Sequence, residues 1–459
     1  MQIRLRIHFF LLLISFSGQS QLRPVHFFQQ DDSLRKKQYY EEALQKKKSL
    51  IAALPKENSK DYKEAYESMF EMVEDLLRSR RSVTAIDADN YIKAVAGKII
   101  QSNPELSGLD LRIIFSRDFV PNAYSIGDGT IAFNAGLFVY LHTEAELAFV
   151  ICHELAHYYL QHSRKRVDKM VRLINSDSLK KELKRLSKQQ YRVGEELEKI
   201  SKALVFDIKR HSREGEQEAD RTGLQFLKKS GYSGMGFIST MKTLDRIDDT
   251  SLFMPLDLPK ILSFPDYPFR DRWIKKESSI FGAMHPEEAS GLTRKEKDSL
   301  KTHPDCFKRI ELLGDSAKAV SGSDFLVDAQ MFRKLKEDFV PELLGEVFNA
   351  GNISFNLYLS LQFLQEKKHV PLAVYSVARN LNLIYQYQKE HRLGLVADTE
   401  GRYFDEGYNQ LLRMLWRLRL NEIAELNHHF CSYYEAEMSG FEEFREEMEK
   451  AKANRTAHL

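Results

Sequence analysis

The chain has 459 residues, length for two or three domains, and 43% of them are hydrophobic, which supplies real cores and excludes a disordered protein. Lys and Arg number 68 against 66 Asp and Glu, a formal net charge of +2, so nucleic acid and anionic membrane surfaces are not expected partners. Cys152, Cys306 and Cys431 are too few and too scattered for a disulfide framework, although an exported chain could oxidise one pair.

Residues 1–20 read differently from the rest. Arg4 and Arg6 precede the apolar run Phe9 to Phe16, and small Ser17, Gly18 and Ser20 follow before Gln21. This is the pattern of a secretory signal peptide cleaved after Ser20. The alternative is a short membrane anchor, but the run falls far below the ~20 residues that span a bilayer. A signal peptide without a lipid-attachment cysteine suits export to a bacterial periplasm.

Residues 21–90 form a helical lead-in. Between Asp31 and Gln101 residues such as Leu44, Leu50, Met69, Met72 and Leu76 recur among many charges, Pro55 and Asn58 mark a turn, and Pro104 with Gly108 closes the region. Leu109 to Phe115 and Val120 to Asn134 then read as two or three strands, with Gly127, Asp128 and Gly129 turning the chain before Thr130 to Phe133. That last strand is expected at a sheet edge facing a cleft, where an extended peptide can pair with free main-chain groups.

The stretch Ala148 to His162, AFVICHELAHYYLQH, carries His153, Glu154 and His157 as H-E-x-x-H. On a helix, residues four apart lie about one turn apart on one face, so both imidazoles can share one Zn²⁺ while Glu154 stands beside the open position as general base. Thr143 and Glu146 form a T-x-x-E capping box that starts this helix. Cys152 points about 100° away from His153 and belongs to the core rather than to the metal. Arg164 to about Arg210 follows as a charged, helical insertion. Next comes SREGEQEADRTGLQFLKK, residues 212–229, with Glu216 and Asp220 four apart on a second helix that ends at Ser230 and Gly231. Two histidines from one helix need a third protein ligand, and a carboxylate from a second helix suits zinc.

H-E-x-x-H followed some sixty residues later by S-R-x-x-E-x-E-A-D resembles the M48-like zinc metallopeptidases: the CAAX prenyl proteases, HtpX heat-shock proteases, OMA-type peptidases and periplasmic BepA-like peptidases. The likeness covers about Tyr91 to Leu313, and the stretches P-N-A-Y and T-I-A-F-N-A-G-L match the family's edge-strand region. It implies a gluzincin-type domain built from a motif helix and a second ligand helix. It also implies Glu216 as third zinc ligand beside His153 and His157, and Asp220 as a carboxylate that orients a ligand histidine. Glu214 and Glu218 then face elsewhere. His303, in T-H-P-D-C-F-K-R-I, resembles the family's His-Pro position near the zinc, where it would stabilise the oxyanion or occupy the fourth position; His285-Pro286 is a rival, and Arg309-Ile310 favours His303.

The metallopeptidase domain is expected over residues 91–322. Within it, residues 251–286 form a Pro-rich and aromatic loop, either a lid over the site or a packed surface loop. Residues 323–459 read as a helical C-terminal domain punctuated by Gly351, Pro371 and Gly401, either a module for an envelope protein partner or an extension packed on the protease. His428 and His429 are structural or exposed. The fold class expected is mainly α with a small β-sheet. The function expected is a periplasmic zinc metalloendopeptidase with one Zn²⁺ per chain, no spanning segment, and extended or misfolded protein as substrate. The rival is an envelope chaperone or scaffold that retains a zinc site.

Overall fold

A computed structural model describes residues 28–186, 213–248, 255–275, 306–401 and 404–458. The expected signal peptide, most of the charged insertion beyond Leu186, and both His285 and His303 lie outside these residues.

Helices α1 (Ser33–Ala52) and α2 (Ser59–Arg78) form a hairpin. Asp32 caps α1 by accepting the N–H groups of Leu34 and Arg35, and Asn58 turns the chain in the left-handed region at φ 54°. Strand β1 (Ser82–Val83), helix α3 (Ile86–Ser102) and strands β2 (Arg112–Ser116), β3 (Ala123–Ser125) and β4 (Thr130–Asn134) follow. The sheet order is β1-β2-β4-β3, with β2 and β4 parallel and the outer pairs antiparallel.

Both faces of the sheet are covered. Ile113, Phe115, Ile131 and Phe133 enter the main core, while Ile114 and Ala132 pack against Phe70, Val73, Leu76 and Leu77 of the helical hairpin. This corrects the expected edge. β4 is interior, paired on both sides, and every one of its residues is buried, so its near-continuous apolar run is that of a central strand. The edge on this side of the sheet is β3, and β1 forms the other. The Gly127–Gly129 turn that feeds β4 is fixed by close approach: at Gly129, φ +101°, a Cβ would stand 2.1 Å from the Asp110 carbonyl oxygen.

After the short α4 (Ala135–Phe138) comes α5 (Glu144–Tyr159), buried at every position from Glu144 to Ala156. Thr143 caps α5 as expected, accepting the Glu146 N–H, but Glu146 reaches one residue further back and accepts the His142 N–H at 2.6 Å. Buried Glu144 accepts from the Tyr91 and Tyr232 hydroxyls, each at 2.8 Å, and from the main-chain N–H groups of Leu326, Val327 and Asp328. Gln161, φ 59°, breaks the helix and starts α6 (His162–Ile174), followed by α7 (Asp177–Leu186).

The second motif helix, α8 (213–229), crosses directly over α5, and α9 (Met235–Asp248) flanks them. The short α10 (Leu258–Ile261) belongs to the aromatic loop, and α11 (Cys306–Lys318) packs on α9. The described part of that loop, 255–275, is a strap on the C-terminal helices. Glu422 accepts from Arg270 Nη1 at 2.8 Å and Trp273 Nε1 at 3.3 Å, and the Tyr267 ring stacks on His429 at 5.0 Å. His429 is thus structural, as expected.

Helix α12 (Ala329–Asn349) joins two cores: Phe332, Leu335 and Phe339 enter the first, Leu344 and Val347 the second. The second core is completed by α13 (Ile353–Gln365), α14 (Val370–Lys389), α15 (Glu406–Arg417), α16 (Leu420–Tyr434) and α17 (Glu442–Thr456). The fold is mainly α with one small sheet. No described helix is long and apolar enough to cross a membrane. All three cysteines are buried free thiols.

Candidate metal centre

The crossing of α8 over α5 builds the site. Gly223 makes it possible: a Cβ there would lie 3.0 Å from the His153 nitrogen and 3.1 Å from its Cα, so a larger residue would push the two helices apart. One turn back from Gly223, Ala219 is fully buried, and Glu216 and Asp220 then face the motif histidines.

His153, His157 and Glu216 each offer one ligand atom, all within 4.8 Å of one another. The contacts among them are short: 3.0 Å between the two Nε2 atoms, 3.3 Å from His153 Nε2 to Glu216 Oε2, and 3.4 Å from His157 Nε2 to the other carboxylate oxygen, Oε1. Donors bound tetrahedrally at 2.0–2.1 Å stand roughly 3.3 Å apart, so these spacings are of the size that zinc requires.

The surroundings turn both Nε2 atoms inward. His153 Nδ1 lies 3.0 Å from Asp220 Oδ1, and Asp220 is gripped from behind by Arg309, whose Nε and Nη2 donate to its two oxygens at 2.6 Å each. His157 Nδ1 is 2.8 Å from His162 Nδ1, and His162 Nε2 is 3.1 Å from Glu218 Oε2. Each ring thus has Nδ1 beside a neighbour and presents Nε2 to the centre, the orientation that suits a metal-binding histidine.

Glu154 completes the group. Its Oε2 accepts the Ser125 main-chain N–H at 2.8 Å, so the carboxylate is tied to the edge strand β3. Burial raises its pKa despite the attraction of His157 and His153. Burial acts on Glu216 in the same sense, but hydrogen bonds from His153 and His157 outweigh it and hold that carboxylate well below its usual range. Burial would lower His153, yet Asp220 and Glu216 raise it to about 10. A proton and a metal would therefore compete for the same ring nitrogen. The cleft over these groups encloses about 220 Å³ and has apolar walls at Leu137, Phe149, Met241 and Leu244.

Residues 88–317 match the model of peptidase family M48. The chain belongs to this family. No curated protein matches the sequence.

This M48 peptidase brings together five of the six residues singled out from sequence: His153, Glu154, His157, Glu216 and Asp220. The sixth, His303, lies outside the described residues. Three contributors were missed. His162 ends the motif stretch five residues after His157, and its signal was that it is a third histidine on one short segment. Glu218, expected to face elsewhere, instead holds His162. Arg309 gave no spacing signal, because 89 positions separate it from the Asp220 it grips.

Proposed function

We propose that this M48 peptidase is a zinc-dependent endopeptidase that cleaves extended or misfolded protein segments in the cell envelope. The observation that carries the proposal is Glu154, a buried carboxylate beside three converging donors and bonded to the main chain of an edge strand. His153, His157 and Glu216 would hold the metal, with Asp220 and His162 fixing the rings. Zinc bound there would acidify a water and polarise the peptide carbonyl. Glu154 takes the proton on its carboxylate and delivers it to the leaving nitrogen, a role that its burial-raised pKa favours. The outer edge of β3, beside the Ser125 N–H that Glu154 accepts, pairs with the substrate main chain, reading extended shape more than side-chain identity. In this reading His303, six positions before Arg309, assists at the oxyanion.

The placement in the envelope rests on the pattern of residues 1–20. The test is cleavage of an unfolded protein by purified enzyme, with activity lost to a chelator and restored by Zn²⁺. Cleavage that survives full zinc removal would refute the proposal.

A further inference from the structure

The metal cleft does not end at the metal. It shares Asn122, Tyr124, Ser125, Ser163 and Arg166 with a neighbouring groove of about 640 Å³. The far wall of that groove is α2, which presents Ala65, Tyr66, Met69 and Met72. Positions 65, 69 and 72 follow helical spacing and share one face. None of the four is buried, and Met72 is 54% exposed. The helix lies outside the matched residues 88–317.

Between cleft and groove runs the open edge of β3. Asn134 N donates to Asn122 O and Ile126 N donates to Thr130 O, so residues 122 and 126 face β4. Ala123 and Ser125 alternate with them and turn their main-chain groups to the open side, where the Ser125 N–H meets Glu154. The two faces of this strand differ: Ala123 packs in the main core with α5, whereas Tyr124 packs with the α1–α2 hairpin. A peptide added along β3 sends alternate side chains to these two faces.

We propose that α2 is a second wall of the substrate channel, and that alternate apolar side chains of an extended substrate lie against Tyr66, Met69 and Met72. The proposal rests on the endopeptidase reading and adds a substrate class to it: segments with apolar residues at every second position. Side chains on one face lie in the metal cleft, and those on the other lie against α2. Methionine suits such a wall because its unbranched thioether adapts to differently shaped partners.

The experiment uses two substrates and a binding measurement. The substrates are a long unfolded protein with alternating apolar residues and a short peptide that spans only the metal cleft. Met72→Glu places a charge on the wall at an exposed position, and Tyr66→Ala removes area without adding charge. Each variant should raise KM for the long substrate by about five- to tenfold, the value of part of one apolar side chain, and leave the short peptide unchanged. In a Glu154→Gln background, Kd for the fluorescently labelled long substrate should rise by the same factor. Equal KM ratios for long and short substrates in both variants would overturn the inference. Absence of any cleavage by the wild type would instead count against the endopeptidase reading, and the binding measurement would still report on the groove.

Discussion

Glu216 and Glu218 lie two positions apart on α8, and their surroundings would give them unequal shares in binding a metal. Glu216 spans both imidazoles with its two oxygens, and it is the anionic member of the donor set. A structural zinc site with four ligands binds with about 10–16 kcal/mol, so removing one ligand forfeits roughly 2.5–4 kcal/mol, or about 70- to 900-fold in affinity. Arg309 deepens the loss, because its Nη2 lies 3.7 Å from Glu216 Oε2 and would face the cation without that carboxylate between them. Glu218 acts two steps away, through His162 and then His157. Loss of such an outer partner costs about 10- to 100-fold, and the lower end applies because His162 itself remains. Purified Glu216→Ala and Glu218→Ala should therefore be titrated with Zn²⁺ against a competing chromogenic chelator. The expected order is wild type, then Glu218→Ala weaker by about tenfold, then Glu216→Ala weaker by at least a further factor of about ten. Loss of zinc from Glu218→Ala as complete as from Glu216→Ala would refute the assignment of the third ligand.

Ser125→Pro removes the N–H that Glu154 accepts, at an edge strand where proline is tolerated, so zinc content should persist while turnover falls; unchanged turnover would uncouple strand and carboxylate. Glu144→Ala strips the acceptor from two buried hydroxyls and three main-chain donors, and should lower unfolding free energy by more than about 3 kcal/mol in a denaturant titration; a loss under about 1 kcal/mol would contradict it. Glu342 is pushed up to about 7 by burial, against the attraction of Arg117. A folded pKa above the ordinary carboxylate value means that the native state binds the extra proton, so its contribution is present at pH 5 and is lost as pH rises through 7. Stability should therefore fall between pH 5 and 8 in the wild type and fall less in Glu342→Gln; parallel profiles would contradict the buried charge.

The candidate metal centre was legible because its chemistry is local. His153 and His157 sit one turn apart on a helix whose cap is written at Thr143, and Glu216 and Asp220 repeat that spacing on a second helix. The resemblance chose between the carboxylates of α8; the sequence itself did not show that Gly223 lets that helix lie against the backbone of α5. Which strand forms the edge was misread for a physical reason. A regular apolar strand such as Thr130–Asn134 is easiest to see when both its faces are buried, and that burial belongs to an interior strand. The true edge, Ala123–Ser125, is three residues with no repeating pattern. Glu146 shows the same limit at smaller scale: the T-x-x-E spacing set the start of α5, but not which N–H the carboxylate accepts. Arg309 and the strap over 255–275 depend on partners far along the chain, Asp220 and Glu422, and no local period encodes such pairings.

The central claim is that Glu154 moves the proton in peptide hydrolysis at a zinc centre built from His153, His157 and Glu216. The direct measurement is Glu154→Gln, assayed for zinc content and for cleavage of an unfolded protein in the same preparation. The amide keeps the size of the side chain but cannot take a proton, so zinc should remain at about one per chain while cleavage falls by a factor on the order of 10³ or more. A zinc-loaded Glu154→Gln protein that cleaves within about tenfold of wild type would contradict the account.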